Sequence, residues 1–197
     1  MALADDGESR LIERLVLRDE RAFNQLVRLY ERKVFAVVLR FLGNRAEAEE
    51  LAQEVFVQVF KAIGSFRGEC KLSTWVYRIA INLCKNRTKY LKVRHADETA
   101  PEDVGETPAQ PGTNAAHVER PDEMLAGKQV EQIVRRSILR LEPAFRECLI
   151  LRDVEELSYE EVGQITGLAE GTVKSRIFRA RAMLKEMVER ELGEKIG

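Results

Sequence analysis

Residues 157–185, LSYEEVGQITGLAEGTVKSRIFRARAMLK, decide the fold class. Ser158 and Glu161 are spaced as S-x-x-E, the reciprocal capping box that opens a helix. Gly167 suits the left-handed position that closes one. A second helix then runs from about Ala169 to beyond Lys185. Two helices joined by so short a glycine-containing turn predict a helix-turn-helix. On the second helix Val173, Ile177, Ala180 and Leu184 recur at i, i+4, i+7 and i+11 as a core stripe. Lys174, Ser175, Phe178 and Arg179 lie off that stripe. Between Gly171 and Lys185 stand Lys174, Arg176, Arg179, Arg181 and Lys185, with no acidic residue among them. Such a helix suits a DNA major groove, where Arg and Lys address guanine edges or phosphates and a thymine methyl can rest on Phe178. An ordinary amphipathic helix with a solvated basic face would explain the charge. It would not explain the off-stripe Phe178 or the short turn.

Outward from this motif the chain reads as helix throughout. Pro143 divides residues 130–158 into two helices. Residues 92–122 hold Pro101, Pro108, Pro111 and Pro121 and almost no large apolar side chain, so they cannot bury enough surface to offset their ordering entropy. A structureless stretch of this length is uncommon inside a compact domain, and it is read as a flexible linker. Residues 9–91 resume helical spacing, with Leu11, Leu15, Phe23, Leu26, Val27, Tyr30, Val34, Val37, Val38 and Phe41, a stop at Gly43-Asn44, and a new stripe of Leu51, Val55, Val59 and Ala62. The expected fold is therefore all-α. Two small helical domains, 1–91 and 123–197, are joined by an acidic linker over 92–122, and the second contains the helix-turn-helix. No strand pattern or internal repeat is evident.

The formal net charge of −1 conceals opposed blocks. Residues 66–94 carry eight basic side chains against Glu69, and residues 95–123 carry eight acidic ones against Arg120. Blocks of opposite sign point to different partners for different segments. Within the basic block, STWVYRIAINLCKNRTKY (73–90) combines Trp75 and two tyrosines with Arg78, Lys85, Arg87 and Lys89. Leu72, Trp75, Val76, Ile79 and Leu83 form one stripe. Thr74, Arg78, Asn82, Lys85 and Lys89 lie on another face, with Tyr77 and Ile81 beside it. Rings that stack on bases, amides that read base edges and cations that hold the backbone are what single-stranded nucleic acid requires. Trp75 fits that role or a core role, and the sequence leaves both open. The preceding segment, AEAEELAQEVFVQ (46–58), presents Glu47, Glu49, Glu50, Gln53 and Glu54. That face would repel DNA and suit a basic protein surface, or simply be solvated.

Several function classes receive no support. No run is long and apolar enough to span a membrane, and the acidic N-terminus lacks the apolar stretch of a secretory signal. Cys70, Cys84 and Cys148 are odd in number and widely spaced, which favours buried thiols in a reducing cytoplasm over a disulfide framework. His95 and His117 both fall in the linker, no C-x-x-C occurs, and no phosphate-cradling glycine loop is present. No metal, cofactor or catalytic residue is expected. A regulator that binds operators alone, as a dimer, would need the helix-turn-helix but neither the acidic helix nor the aromatic-cationic one. A nucleic-acid enzyme would need a metal or nucleophile constellation.

Four segments in order, RAFNQLVRLYERKVF (21–35), AEELAQEVFVQVFKAIGSFRGE (48–69), LSTWVYRIAINLCKN (72–86) and LSYEEVGQITGLAEGTVKSRIFRAR (157–181), resemble the extracytoplasmic-function, or group IV, sigma factors of the bacterial sigma-70 family, and the sigma-E type in particular. The resemblance covers both domains, with the acidic linker where the family is variable. It implies an alternative sigma factor that binds core RNA polymerase and directs promoter-specific initiation. Glu50, Gln53 and Glu54 would dock on the β′ clamp, and the second domain on the β flap. Phe66, Trp75, Arg78, Asn82 and Lys85 would recognise and melt the −10 element, with Asn82 and the loop around Phe66 holding a flipped base. Lys174, Ser175, Phe178 and Arg179 would read the −35 element. It also implies the polymerase's RNA exit path for the linker, and an anti-sigma factor, often membrane-anchored, with no direct membrane insertion of this chain. Two departures stand out. Val76 follows Trp75 where housekeeping relatives have a second Trp, which implies weaker melting. Ala169 stands where relatives often place a Ser N-cap.

Overall fold

A computed structural model describes residues 6–97 and 121–193, and every regular element in it is helical. Helices α1 (Asp6–Val16), α2 (Glu20–Leu42), α3 (Arg45–Ala62) and α4 (Leu72–Asp97) build the first domain. Helices α5 (Pro121–Arg140), α6 (Pro143–Leu149), α7 (Tyr159–Thr166) and α8 (Glu170–Leu192) build the second. A single 3-10 turn, Ile63–Ser65, follows α3, and a wide π turn, Ile150–Val154, follows α6. Residues 98–120, most of the expected acidic linker, lie outside the described residues. Helix α4 continues to Asp97, past the expected boundary at 91. Neither Gly nor Pro interrupts the chain between Leu72 and Asp97, so propensity gives no reason to stop earlier.

The helix ends are set by local chemistry. The Asp19 carboxylate accepts hydrogen bonds from the Arg21 and Ala22 amides at the start of α2, and Asn44 accepts from Glu47 at the start of α3. Between them Gly43 closes α2 at φ 80°, a conformation that penalises any residue with a Cβ.

Leu26, Val34, Val37, Val38 and Phe41 of α2 are buried with Leu51, Val55 and Val59 of α3 and Leu72, Val76 and Ala80 of α4. Each large side chain so buried contributes about 1.5–3 kcal/mol. The cluster does not end at the domain boundary. It runs through Ile81 and Cys84 of α4 to Cys148, Ile150, Leu151, Val162, Ile165, Val173 and Ile177 of the second domain. Helix α4 is thus covered by α2 and α3 and also by α7. This corrects the sequence-based face assignment. Thr74 and Tyr77, placed on or beside the polar face, are buried, because a second domain packs there. Trp75, Ile79 and Leu83, placed on the core stripe, are only half-buried.

Candidate functional site

The helix-turn-helix forms as its capping residues dictate. Glu161 N–H donates to the Ser158 hydroxyl (3.2 Å), and Ser158 N–H donates to the Glu161 carboxylate (2.9 Å). Gly167 ends α7 at φ 75°, and its N–H donates to the Gly163 carbonyl. Ala169 occupies the N-cap of α8 in extended conformation, with no side chain to satisfy the first amides. Val173, Ile177 and Ala180 are buried, while Lys174, Ser175, Phe178 and Arg179 are exposed, Phe178 at 75%. Pairing narrows the cationic face further. Arg181 is held by Asp153 (2.9 Å), Arg176 by Glu147 (3.5 Å) and Lys185 by Glu189 (3.8 Å). Lys174 contacts Glu170 (2.6 Å) and stands over the Tyr159 ring, and the bond to Glu170 holds its ammonium above the usual lysine range. Ser175 Oγ donates to the Thr172 carbonyl.

In the first domain the rings of Phe66 and Trp75 meet at 5.3 Å, tilted by 56°. They line an open cleft of about 470 Å³ with Arg67, Glu69, Arg78 and Gln164. Gln164 comes from α7 of the second domain, and its backbone carbonyl accepts from Arg78 Nε (2.9 Å). The structure therefore brings Phe66, Trp75 and Arg78 together. Asn82 is exposed, one turn beyond Arg78 and outside the cleft lining. Lys85 turns to the second domain, with Nζ 2.8 Å from Oε2 of buried Glu147. The approach is not aligned for a hydrogen bond, and that oxygen has no hydrogen-bonding partner. Further ties between the domains join Lys71 to Glu161 (2.8 Å), the Tyr77 hydroxyl to Glu155 (2.9 Å) and Arg146 to the Phe41 carbonyl (2.6 Å). None of these partners was apparent from sequence, where they stand 78 to 105 residues apart.

On α3, Glu50 and Gln53 are exposed and Glu54 is half-exposed. The Arg87 guanidinium of α4 reaches Glu47, Glu50 and Glu54. By composition Arg87 belongs to the basic block of residues 66–94; its partners are carboxylates of α3. Burial pushes the Cys84 thiol up to about 12 and that of Cys148 to about 11, so both are protonated at neutral pH. Among the described residues no His, Cys, Asp and Glu cluster is arranged for a metal, and no helix is long and apolar enough to cross a membrane.

Residues 26–92 match the Sigma-70 region 2 family and residues 131–184 match Sigma-70 region 4. The chain belongs to the sigma-70 family. It is 35% identical over 195 residues to the RNA polymerase sigma-H factor of Pseudomonas aeruginosa, covering 98% of this chain and 99% of that one. It is 36% identical over 182 residues to the extracytoplasmic-function sigma-E factor of Escherichia coli, covering 91% and 93%. Among solved structures, the sigma factor RpoE in complex with the anti-sigma factor NepR from Bartonella quintana superposes with a TM-score of 0.64 at 27% identity, over 85% of this chain and 96% of that one. CnrH in complex with the cytosolic domain of CnrY shares the fold, with a TM-score of 0.66 at 20% identity over 94% and 99%. This is an alternative sigma factor of the extracytoplasmic-function group, and the partners of its family are core RNA polymerase and promoter DNA.

Proposed function

We propose that this sigma factor docks on the β′ clamp of core RNA polymerase through Glu50, Gln53 and Glu54. It opens the −10 element with the Phe66–Trp75–Arg78 cleft, Asn82 and Lys85, and reads the −35 element with Lys174, Ser175, Phe178 and Arg179. The part of the first domain that meets promoter DNA ends near residue 91, within α4, which itself runs on to Asp97; the part of the second that meets the β flap begins near 123, within α5, with the acidic linker between the two helices. The observation that carries this reading is the Phe66–Trp75 ring pair, with Arg78 and exposed Asn82 farther along the helix that carries Trp75, in the same chain as a helix-turn-helix whose outward face is Lys174, Ser175, Phe178 and Arg179. Trp75 serves both of the roles left open above. It packs against the core cluster and also lines the cleft.

The chain contributes no catalytic group of its own and works in the cytoplasm, where the polymerase supplies the chemistry. In the closed arrangement Arg78 and Lys85 are engaged by Gln164 and Glu147, so promoter binding requires the domains to part. A partner that holds them together would keep the factor silent. An anti-sigma factor fits that role, and the similar sigma factor RpoE is found in complex with one, NepR. The test is reconstitution. Added to core polymerase and promoter templates, the chain should produce run-off transcripts from discrete starts. Failure to bind core would overturn the proposal.

A further inference from the structure

We propose that Arg87 is the positioning residue of the polymerase-docking face. From α4 it gathers Glu47, Glu50 and Glu54 of α3 under one guanidinium and fixes the outward carboxylates in place. This rests on the assignment of Glu50, Gln53 and Glu54 as the docking surface. One Arg87 nitrogen lies 2.6 Å from Glu47 and 3.2 Å from Glu50, and the other lies 3.3 Å from Glu50 and 3.4 Å from Glu54. Glu50 is thus gripped through both of its oxygens by the planar fork, a geometry that lysine cannot reproduce.

The exposure gradient gives the arrangement a direction. The Arg87 side chain is 17% exposed, Glu54 41% and Glu50 67%. The cation lies beneath, Glu47 is partly buried beside it at 28%, and Glu54 and Glu50 face out. Without it, Glu47, Glu50 and Glu54 would be like charges on neighbouring turns of α3, repelling one another and splaying into several rotamers. One guanidinium for three carboxylates leaves the cluster net negative, so the face still attracts a basic partner while its side chains are already ordered. Binding then avoids the cost of immobilising them. Because Arg87 belongs to α4, the cluster also ties the docking helix to the helix that carries Trp75, Arg78 and Asn82.

A mutant cycle on the full chain tests this, read as affinity for core polymerase with thermal melting alongside. Arg87→Ala should weaken core binding about tenfold, the equivalent of releasing two ordered glutamates. Arg87→Lys should weaken it about threefold, since a point charge cannot span three carboxylates. In a Glu50→Gln, Glu54→Gln background, neither Arg87 substitution should change the affinity further. An undiminished loss in that background would show that Arg87 acts on the fold and not through these carboxylates, overturning the inference. Tighter binding by Arg87→Ala would show that Arg87 competes with the polymerase, and would overturn it too. If Glu50→Gln, Glu54→Gln alone leaves core affinity unchanged, the docking assignment itself fails and takes the inference with it. Should Arg87→Ala not fold, Arg87→Lys carries the same comparison.

Discussion

Substituting Glu147 by Gln should loosen the closed arrangement without harming either domain. Glu147 is 1% exposed on α6, with Lys85 of the first domain at 2.8 Å and Arg176 of the second at 3.5 Å. Removing one member of a buried ion pair costs roughly 3–5 kcal/mol when the other charge is stranded. Lys85 and Arg176 keep 33% and 30% of their side-chain surface exposed and can recover water, so the cost falls to about 1–2 kcal/mol. Glutamine has the same shape and leaves no cavity. A change of this size shifts the closed-to-open ratio by about 5–30-fold. Cys84 and Cys148 report it, because both are buried and held protonated while the domains are together. Their alkylation, followed peptide by peptide by mass spectrometry, should quicken by that factor in Glu147→Gln. The half-buried Cys70 should change little. Unchanged labelling at both Cys84 and Cys148 would refute the view that Glu147 holds the domains together.

Two further predictions concern the second domain. Ala169→Ser supplies the missing N-cap acceptor for α8 and should stabilise the recognition helix by roughly 0.5–2 kcal/mol, seen as a higher melting temperature. The Glu161 carboxyl is held below its ordinary value of 4.5, first by the hydrogen bond from Lys71 and then by the Ser158 amide. A carboxylate with a lowered folded-state pKa contributes stability that is present above the ordinary value and lost as pH falls through the lower one. Acidification below about pH 4.5 should therefore weaken both the capping box and the Lys71 tie. Glu161→Gln should flatten the acid limb of the melting-temperature profile; an identical acid limb in this variant would contradict the assignment.

Legibility in the sequence followed the range of the interaction. The capping box, the Gly43 and Gly167 stops and the Val173–Ile177–Ala180 stripe all rest on residues within a few positions of one another, and they are read from spacing alone. The packing of one domain on the other is not local. A helical wheel assigns α4 one buried face and so sets Thr74 and Tyr77 with the polar side chains, yet both are buried on a helix that also packs against α7 of the second domain. The acidic face of α3 was legible as charge, but Arg87 lies 33 to 40 positions away from it and joined the basic block by composition. Its fork beneath three carboxylates is a tertiary fact. The same holds for Gln164, which completes the cleft from 86 positions beyond Arg78.

The most direct test of the account is transcript-start mapping on a randomised promoter library, with core polymerase and the wild-type chain, Asn82→Ala or Lys174→Ala. The wild type should select two separated sequence elements. Asn82→Ala should relax only the downstream one while core affinity is retained. Lys174→Ala should relax only the upstream one, by about 1–3 kcal/mol at the base it reads. A uniform, salt-sensitive loss with Lys174→Ala would instead place that side chain on phosphate. Both variants relaxing the same element, or equal loss of core binding and −10 selection by Asn82→Ala, would contradict the division of labour between the two domains.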